Sequence, residues 1–163
     1  MILLGLGANL PSDRGPPAAT IAAALDMLER QGVAIIARSH LYRSAPVPPS
    51  NQPWYINAVA AVETARLPRD LLALLHKIET AFGRERRRPN DPRTLDLDLL
   101  AYNNVVSRGG DGDPALPHPR LQDRAFVLLP LAEIAPGWRH PVLNRTVEEL
   151  IADLSPDQIA EPV

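Results

Sequence analysis

The sequence predicts an α+β domain whose strands and helices follow the order β-α-β-β-α-β. Three observations support this order: an apolar run over residues 2–8, two later stretches with helical spacing of apolar side chains, and a stretch in which leucine alternates with aspartate. A chain of 163 residues with 45% hydrophobic content is long enough for one domain with a substantial core. We therefore expect one domain over residues 1–163.

The first third of the chain predicts two strands, a helix and a loop. Residues 2–8 are typical of a buried strand, and residues 18–30 of a helix, because two prolines precede this segment and a glycine follows it. Residues 33–43 predict a second strand. Residues 44–53 contain four prolines, which cannot donate ladder hydrogen bonds, so we expect a long loop there.

The middle of the chain predicts a strand, a helix and another strand. Residues 54–64 alternate as a strand does, and residues 68–82 place several apolar side chains on one helical face. Residues 94–102 predict the next strand, which completes the order of a ferredoxin-like sheet. The remaining third predicts a flexible loop over residues 107–113 and helices over residues 124–134 and 147–154.

Composition excludes several classes of protein. A net charge of −2 and a pI near 6.1 argue against a general nucleic-acid binder. The absence of cysteine excludes disulfides and thiolate chemistry and suits a reducing compartment. No apolar run approaches the roughly 18 residues of a membrane span, and the start of the chain lacks a basic leader. We expect a soluble, cytoplasmic monomer without nucleic-acid or membrane partners.

The clearest candidate for chemistry is the segment Thr94-Leu95-Asp96-Leu97-Asp98-Leu99. In a strand its leucines face one side while Asp96 and Asp98 share the other, with roots roughly 6 to 7 Å apart. Two carboxylates at that spacing suit one divalent cation or a pair of them. The alternative is an ordinary amphipathic strand whose outer face carries polar residues.

The residues just before this strand favour the metal interpretation. Five arginines crowd a loop broken by Pro89-Asn90-Asp91-Pro92, where they cannot form a solvated helix face: Arg84, Arg86, Arg87, Arg88 and Arg93. Surface ion pairs with the aspartates would be the simpler explanation. Arginines beside paired carboxylates suit Mg²⁺ and a polyphosphate, because the metal bridges phosphates and guanidinium groups neutralise the remaining charge.

Other segments are weaker candidates. Tyr55 and Asn57 lie on one strand face, where a ring and a carboxamide could hold a flat heterocycle, although such residues are more often ordinary surface residues. The segment Gly5-Leu6-Gly7-Ala8-Asn9-Leu10 lacks the glycine and lysine of known phosphate loops, so we expect a tight turn at a strand end. His118 is a single loop histidine, and Phe126 would by default belong to the core.

Together these segments resemble the 6-hydroxymethyl-7,8-dihydropterin pyrophosphokinase family. The resemblance runs from Leu4 to about Pro136 and is most specific over residues 92–100. Supporting motifs are Gly7-Ala8-Asn9-Leu10, Tyr42-Arg43-Ser44, Gln52-Pro53-Trp54-Tyr55-Ile56-Asn57-Ala58, Phe82-Gly83-Arg84-Glu85-Arg86, Leu116-Pro117-His118-Pro119 and Arg124-Ala125-Phe126. The resemblance implies an α+β ferredoxin-like sheet with helices packed on both faces. It also implies pyrophosphate transfer from ATP to the pterin hydroxymethyl group, with release of AMP.

The resemblance also implies residue roles. Asp96 and Asp98 would bind two Mg²⁺ ions and, with Arg84 and Arg93, would be catalytic. The residues implied to contact ATP are Arg84, Arg86, Arg88, Arg93, His118 and Arg124. Those implied to enclose the pterin are Ser44, Ala45, Val47, Tyr55, Asn57 and Phe126.

Two other functions remain open. One is a module that binds single-stranded RNA through Tyr55, Phe126 and the arginine loop. Overall acidity counts against it, and so do the two aspartates, which would repel phosphate without metal. The other is a Mg²⁺-dependent phosphotransferase with a different acceptor.

Overall fold

The computed structural model describes residues 1–46, 48–83 and 94–163. Its strands in chain order are β1 Ile2–Ala8, β2 Ala34–Arg38, β3 Tyr42–Ser44, β4 Tyr55–Glu63, β5 Asp96–Tyr102, β6 Ser107–Gly110, β7 Asp113–Leu116 and β8 Ala160–Pro162. Its helices are α1 Pro17–Arg30, α2 Pro68–Ala81, α3 Ala125–Ile134 and α4 Val147–Ala152. The predicted α+β class is therefore confirmed.

The main sheet is antiparallel and has the order β5-β1-β4-β3-β8, with β2 also paired to β4. Its two faces carry separate apolar clusters. On one face, α1 and α2 pack against alternate residues of β1, β4 and β5, such as Leu4, Ala60 and Leu97. On the other face, α3 and α4 pack against Leu3 and Val59, among others. Helices thus cover both faces, which follows from the period-two alternation of the strands.

Both long helices begin as the sequence predicts. Proline occupies the first helical position of α1 and α2, where its missing N–H costs no hydrogen bond. Helix α2 buries Leu71, Leu74, Leu75 and Ile78 against the sheet. No helix in the described ranges combines the length and the apolar character that crossing a bilayer requires.

The strand predicted over residues 33–43 is wrong in its extent, because the structure has two strands there, β2 and β3. The ladder stops at Ser39, whose hydroxyl accepts a hydrogen bond from Val59 N–H at 3.0 Å. The next N–H, of His40, donates to the Glu133 carboxylate on α3 at 2.8 Å instead of to a strand. A contact 93 residues away in sequence therefore breaks the strand.

The loop predicted over residues 107–113 is also wrong, because β6 and β7 form a hairpin there. Gly110 pairs with Asp113, so Asp111 and Gly112 make a two-residue turn with φ values of 53° and 88°. Positive φ at both positions is the signature of a type I′ hairpin turn, for which Asp-Gly is a favoured sequence. Strand β8, near the end of the chain, was not expected at all.

Candidate functional site

A cavity of about 760 Å³ opens where β1, β4 and β5 meet the start of α3. Its floor is formed by these strands, and its walls by the loop that follows β3, by residues 120–127 and by a segment near the end of the chain. Polar and aromatic side chains that line it include Ser44, Tyr55, Asn57, Asp96, Asp98, Arg124 and Phe126. The cavity therefore collects candidates from segments far apart in sequence.

The floor pairs each aspartate with a glycine. In the antiparallel ladder, Asp96 lies opposite Gly7 and Asp98 lies opposite Gly5. Glycine carries no side chain, and the space that a Cβ atom would take is bordered by Asn57 Oδ1 at Gly7 and by the Leu100 side chain at Gly5. Gly5 and Gly7 lie inside β1, within the strand predicted over residues 2–8, and β1 ends at Ala8, directly before Asn9.

The leucine–aspartate alternation is confirmed. Leu95, Leu97 and Leu99 are buried in the cluster under α1 and α2, whereas Asp96 and Asp98 line the cavity on the other side. Two carboxylates facing one cavity are a donor set that fits Mg²⁺, which prefers oxygen ligands. Among the described residues, no group of three or more His, Cys, Asp or Glu side chains could hold a metal ion.

A fixed carboxamide lies beside the aspartates. The Asn57 side chain is buried, and its Nδ2 donates to the Ser44 hydroxyl at 2.7 Å. Its Oδ1 packs over Gly7, where an added Cβ atom would come within 3.0 Å of it. The carboxamide is therefore held from two sides at the cavity wall.

The proline loop is tied to the end of β1. Asn9 is buried and its Nδ2 donates to Gln52 Oε1 at 3.0 Å and to the Pro53 carbonyl at 3.1 Å. Prolines offer no N–H for such ties, so an external donor is needed to fix the loop. Asn9 thereby holds the loop beside the cavity, which is lined by Pro46 within the loop and by Tyr55 just after it.

The start of α3 forms the opposite wall. Arg124 is the N-cap residue, and its guanidinium lies 5.4 Å from the centre of the Phe126 ring, a cation–π arrangement. Both side chains are partly exposed to the cavity. Phe126 is thus half-buried: it packs against the apolar cluster under α3 and α4, as expected of a core residue, and it also lines the cavity.

His118 sits close to this wall but does not line the cavity. Its Nδ1 accepts a hydrogen bond from Arg120 N–H at 3.1 Å, so its proton lies on Nε2, which is a donor. Burial first, and the positive charge of Arg124 second, lower the pKa of His118 to about 4, against an opposing effect of Asp96. At neutral pH the ring is uncharged and can donate one hydrogen bond.

The structure brings together most of the predicted site residues that it describes. Those that line the cavity are Ser44, Ala45, Tyr55, Asn57, Asp96, Asp98, Arg124 and Phe126. Of the others, His118 is described but does not line the cavity, and Val47, Arg84, Arg86, Arg88 and Arg93 lie outside the described residues. Sequence reasoning missed Arg120, Asp123 and three residues near the end of the chain, Ser155, Asp157 and Gln158, which also line the cavity. None of them stands in a recognisable motif.

Comparisons with known proteins identify relatives of the chain. A family model described as 7,8-dihydro-6-hydroxymethylpterin-pyrophosphokinase matches residues 3–136. A 2-amino-4-hydroxy-6-hydroxymethyldihydropteridine pyrophosphokinase of Methylorubrum extorquens is 41% identical, covering 96% of this chain and 94% of the relative. The enzyme of the same name from Pseudomonas aeruginosa is 42% identical, covering 93% and 90%.

A solved structure shares the fold at low sequence identity. Wild-type Plasmodium falciparum HPPK-DHPS with pteroate aligns with a TM-score of 0.67 at 15% identity. The alignment covers 93% of this chain and 43% of that longer chain. The α+β architecture is therefore shared with that part of the longer protein.

Proposed function

Because the chain belongs to the 7,8-dihydro-6-hydroxymethylpterin-pyrophosphokinase family, we propose that the cavity described above is its active site. The chain transfers pyrophosphate from ATP to 6-hydroxymethyl-7,8-dihydropterin, with release of AMP, in folate biosynthesis. The observation that carries the proposal is that Asp96 and Asp98 face the same cavity as the fixed Asn57 carboxamide and Phe126. Groups that can bind metal and phosphate therefore line the same cavity as groups that can bind a flat ring.

Asp96 and Asp98 form the phosphate end of the proposed site. They would hold Mg²⁺, with two ions expected, and the bound metal would neutralise phosphate charge. Support comes from the cavity that both carboxylates line. Arg124 lies at the same cavity, where its guanidinium can contact phosphate oxygens. We assign the same role to the arginines that lie outside the described residues, Arg84, Arg86, Arg88 and Arg93, with Arg84 and Arg93 at the transferring group.

His118 has a defined part in this proposal. Since the ring is uncharged at neutral pH, it would contact a phosphate oxygen as a neutral donor through Nε2, not as a cation.

Asn57, Tyr55 and Phe126 form the pterin end. A carboxamide offers one acceptor and two donors, which match the mixed hydrogen-bonding edge of a pterin. One donor of Asn57 is already used by Ser44, so the orientation of the amide is fixed before the substrate binds. The rings of Tyr55 and Phe126 would stack on the flat substrate. The backbone of Ser44, Ala45 and Val47 would complete the enclosure.

The chemistry requires positioning rather than a covalent enzyme intermediate. The pterin hydroxyl oxygen loses its proton to solvent and forms a bond to the β-phosphorus of ATP, the bond from that phosphorus to the α,β-bridging oxygen breaks, and AMP leaves. Groups fixed before binding lower the barrier because their ordering has no cost during the reaction. Arginine donors would stabilise negative charge on the transferring group.

We also propose that the sheet is ferredoxin-like and that the protein acts as a cytoplasmic monomer on small molecules alone. The antiparallel neighbours β5-β1-β4-β2 support the first part. When the four strands β1, β2, β4 and β5 are numbered 1 to 4 along the chain, this sheet order is 4-1-3-2, which is the order of that fold. The net charge of −2 supports the absence of a nucleic-acid partner.

An assay of AMP release tests the proposal. The protein is incubated with ATP, Mg²⁺ and 6-hydroxymethyl-7,8-dihydropterin, and AMP and pterin pyrophosphate are measured. Asp96→Asn and Asp98→Asn should each lower turnover by on the order of 10² or more, since each removes a charge that holds the metal. Asp26→Asn on the exposed face of α1 is the matched control and should behave as wild type. Full activity of both site variants would contradict the assignment.

A further inference from the structure

Residues 155–163, which we call the C-terminal strap, form one edge of the cavity. Strand β8 within the strap pairs antiparallel with β3, with Ala160 opposite Ser44. The N–H of Ala45 donates to the Ile159 carbonyl at 3.3 Å. The strap is therefore anchored along the strand that leads into the proline loop.

The carboxamide of Gln158 joins this strap to the start of α3. Its Oε1 accepts a hydrogen bond from Ala125 N–H at 2.8 Å, and its Nε2 donates to the Asp123 carbonyl at 2.7 Å. The two bonds lie on either side of Arg124 in the chain. Gln158 therefore fixes the backbone that carries this arginine from both sides.

The start of α3 needs such a partner. The N–H groups in the first turn of a helix have no intrahelical acceptor, and the N-cap residue Arg124 makes no side-chain capping bond. Gln158 supplies the missing acceptor from 33 residues further along the chain. This cap, unlike a local one, couples the helix start to the strap.

We propose that Gln158 is a positioning residue for pyrophosphate transfer. It acts through Arg124 and Phe126, whose side chains leave the backbone next to the two hydrogen bonds and line the same cavity. The inference rests on the proposed function, and it concerns a residue beyond the range 3–136 that the family model matches. Fixing these two side chains before substrates bind lowers the entropy cost of binding and orientation.

A purely structural role makes a different prediction. If Gln158 only stabilised the fold, its replacement would lower stability and activity together. Glu161 offers the matched control. This strap residue pairs with Arg43 of β3 and does not line the cavity. Both side chains of the pair are exposed, so its loss should change stability little.

Steady-state kinetics and thermal unfolding of three variants decide between these roles. Gln158→Met removes both hydrogen bonds at similar size and should lower kcat/KM for the pterin about tenfold, mainly by raising KM, at 25 °C where the variant is folded. Gln158→Glu keeps the acceptor for Ala125 N–H but loses the donor, and should fall between Gln158→Met and wild type. Glu161→Gln should keep kcat/KM within about twofold.

Each outcome has a distinct meaning. Wild-type kcat/KM in Gln158→Met, or equal losses in Gln158→Met and Glu161→Gln, would overturn the positioning role while leaving the proposed function intact. A wild-type protein that releases no AMP with the pterin would overturn both. A selective rise in KM for Gln158→Met, with kcat nearly unchanged and the protein folded, would establish the role.

Discussion

The Oδ1 atom of Asn57 lies 3.0 Å from the position that a Cβ atom on Gly7 would occupy. Asn57 cannot move away freely, because its Nδ2 is bound to the Ser44 hydroxyl at 2.7 Å and its side chain is buried. A glycine in β1 and a carboxamide in β4 are therefore fitted to each other. The fit explains why a strand interior, where glycine is unfavourable, carries one here.

Gly7→Ala should displace the Asn57 carboxamide and weaken pterin binding. We expect KM for the pterin to rise by about tenfold, because one misplaced hydrogen-bonding group costs on the order of 1.4 kcal/mol or more. KM for ATP should change less. Initial rates measured at varied pterin and saturating ATP test this.

Gly5→Ala is the matched control for this substitution. An added Cβ at Gly5 would meet side-chain atoms of Leu100 at 3.5 Å, which is ordinary van der Waals contact. We expect a smaller rise in KM for the pterin than in Gly7→Ala. Equal effects of the two substitutions would show that the fit to Asn57 is not what matters.

Features set by local pattern could be predicted from the sequence. The alternation of leucine and aspartate placed Asp96 and Asp98 on the face opposite Leu97, and prolines marked the starts of α1 and α2. These features depend on residues close in sequence, so a short window contains the information.

Features set by distant contacts could not be predicted. The break between β2 and β3 depends on Glu133. Strand β8 forms because its three residues pair with the exposed edge of β3. Gln158 and Glu79 act by binding the backbone of other segments, and a side chain that binds backbone leaves no pattern in the sequence. The Asp111-Gly112 turn is a different case, because the Asp-Gly pair does favour a hairpin turn, whereas the glycine-rich segment around it favours a flexible loop.

Glu79 should support the strand that carries the two aspartates. This buried carboxylate on α2 accepts a hydrogen bond from Leu97 N–H at 2.9 Å, and Leu97 lies between Asp96 and Asp98. Glu79→Ala leaves that buried N–H without this acceptor and opens space, so we expect a loss of about 3 kcal/mol in the free energy of unfolding. Urea denaturation measures it. Activity should fall as well, because the strand segment that carries Asp96 and Asp98 is held less firmly in place.

Glu79→Gln separates the hydrogen bond from the buried space. Glutamine keeps an acceptor oxygen of similar reach, so its loss of stability should be smaller than that of alanine. Glu29→Gln, at an exposed position of α1, controls for the loss of a negative charge. A Glu79→Ala protein as stable as wild type would contradict the role of Glu79.

Tyr42→Phe should lower stability by about 1 to 2 kcal/mol. The buried Tyr42 hydroxyl donates to Glu133 Oε1 at 3.1 Å and so ties β3 to α3. Burial and then the neighbouring Glu133 carboxylate raise the pKa of Tyr42. A double-mutant cycle with Glu133→Gln measures the coupling. No coupling energy would show that the two side chains contribute independently.

The pH dependence of the Tyr42–Glu133 contact follows from the carboxylate. Burial works to raise the pKa of Glu133, but hydrogen bonds from His40 N–H and the Tyr42 hydroxyl outweigh it and lower the pKa below 4.5. The stabilisation is therefore present above pH 4.5 and is lost as the pH falls through the lowered value. The coupling energy should be unchanged from pH 8 to 6 and should shrink in acid.

His118 should make the protein less stable between pH 6.5 and pH 4. Burial first, and the charge of Arg124 second, lower its pKa to about 4, so the unfolded chain binds a proton in this window that the folded protein does not. Stability is therefore complete above pH 6.5, falls as the pH drops through the window and levels off below pH 4. The free energy of unfolding can change by at most roughly 3 kcal/mol across this window, and solvent around the half-buried ring makes the change smaller.

His118→Asn isolates this effect from the other groups that titrate in acid. Asparagine does not titrate, and its Oδ1 can replace Nδ1 as the acceptor for Arg120 N–H. The difference in unfolding free energy between wild type and His118→Asn should be constant from pH 8 to 6.5 and should then move against wild type down to pH 4. Urea denaturation at each pH measures it. Parallel curves across this window would mean that His118 titrates at its ordinary pKa. The role that we assign to it, a solvent-shielded, neutral donor near the cavity wall, would then have to be abandoned.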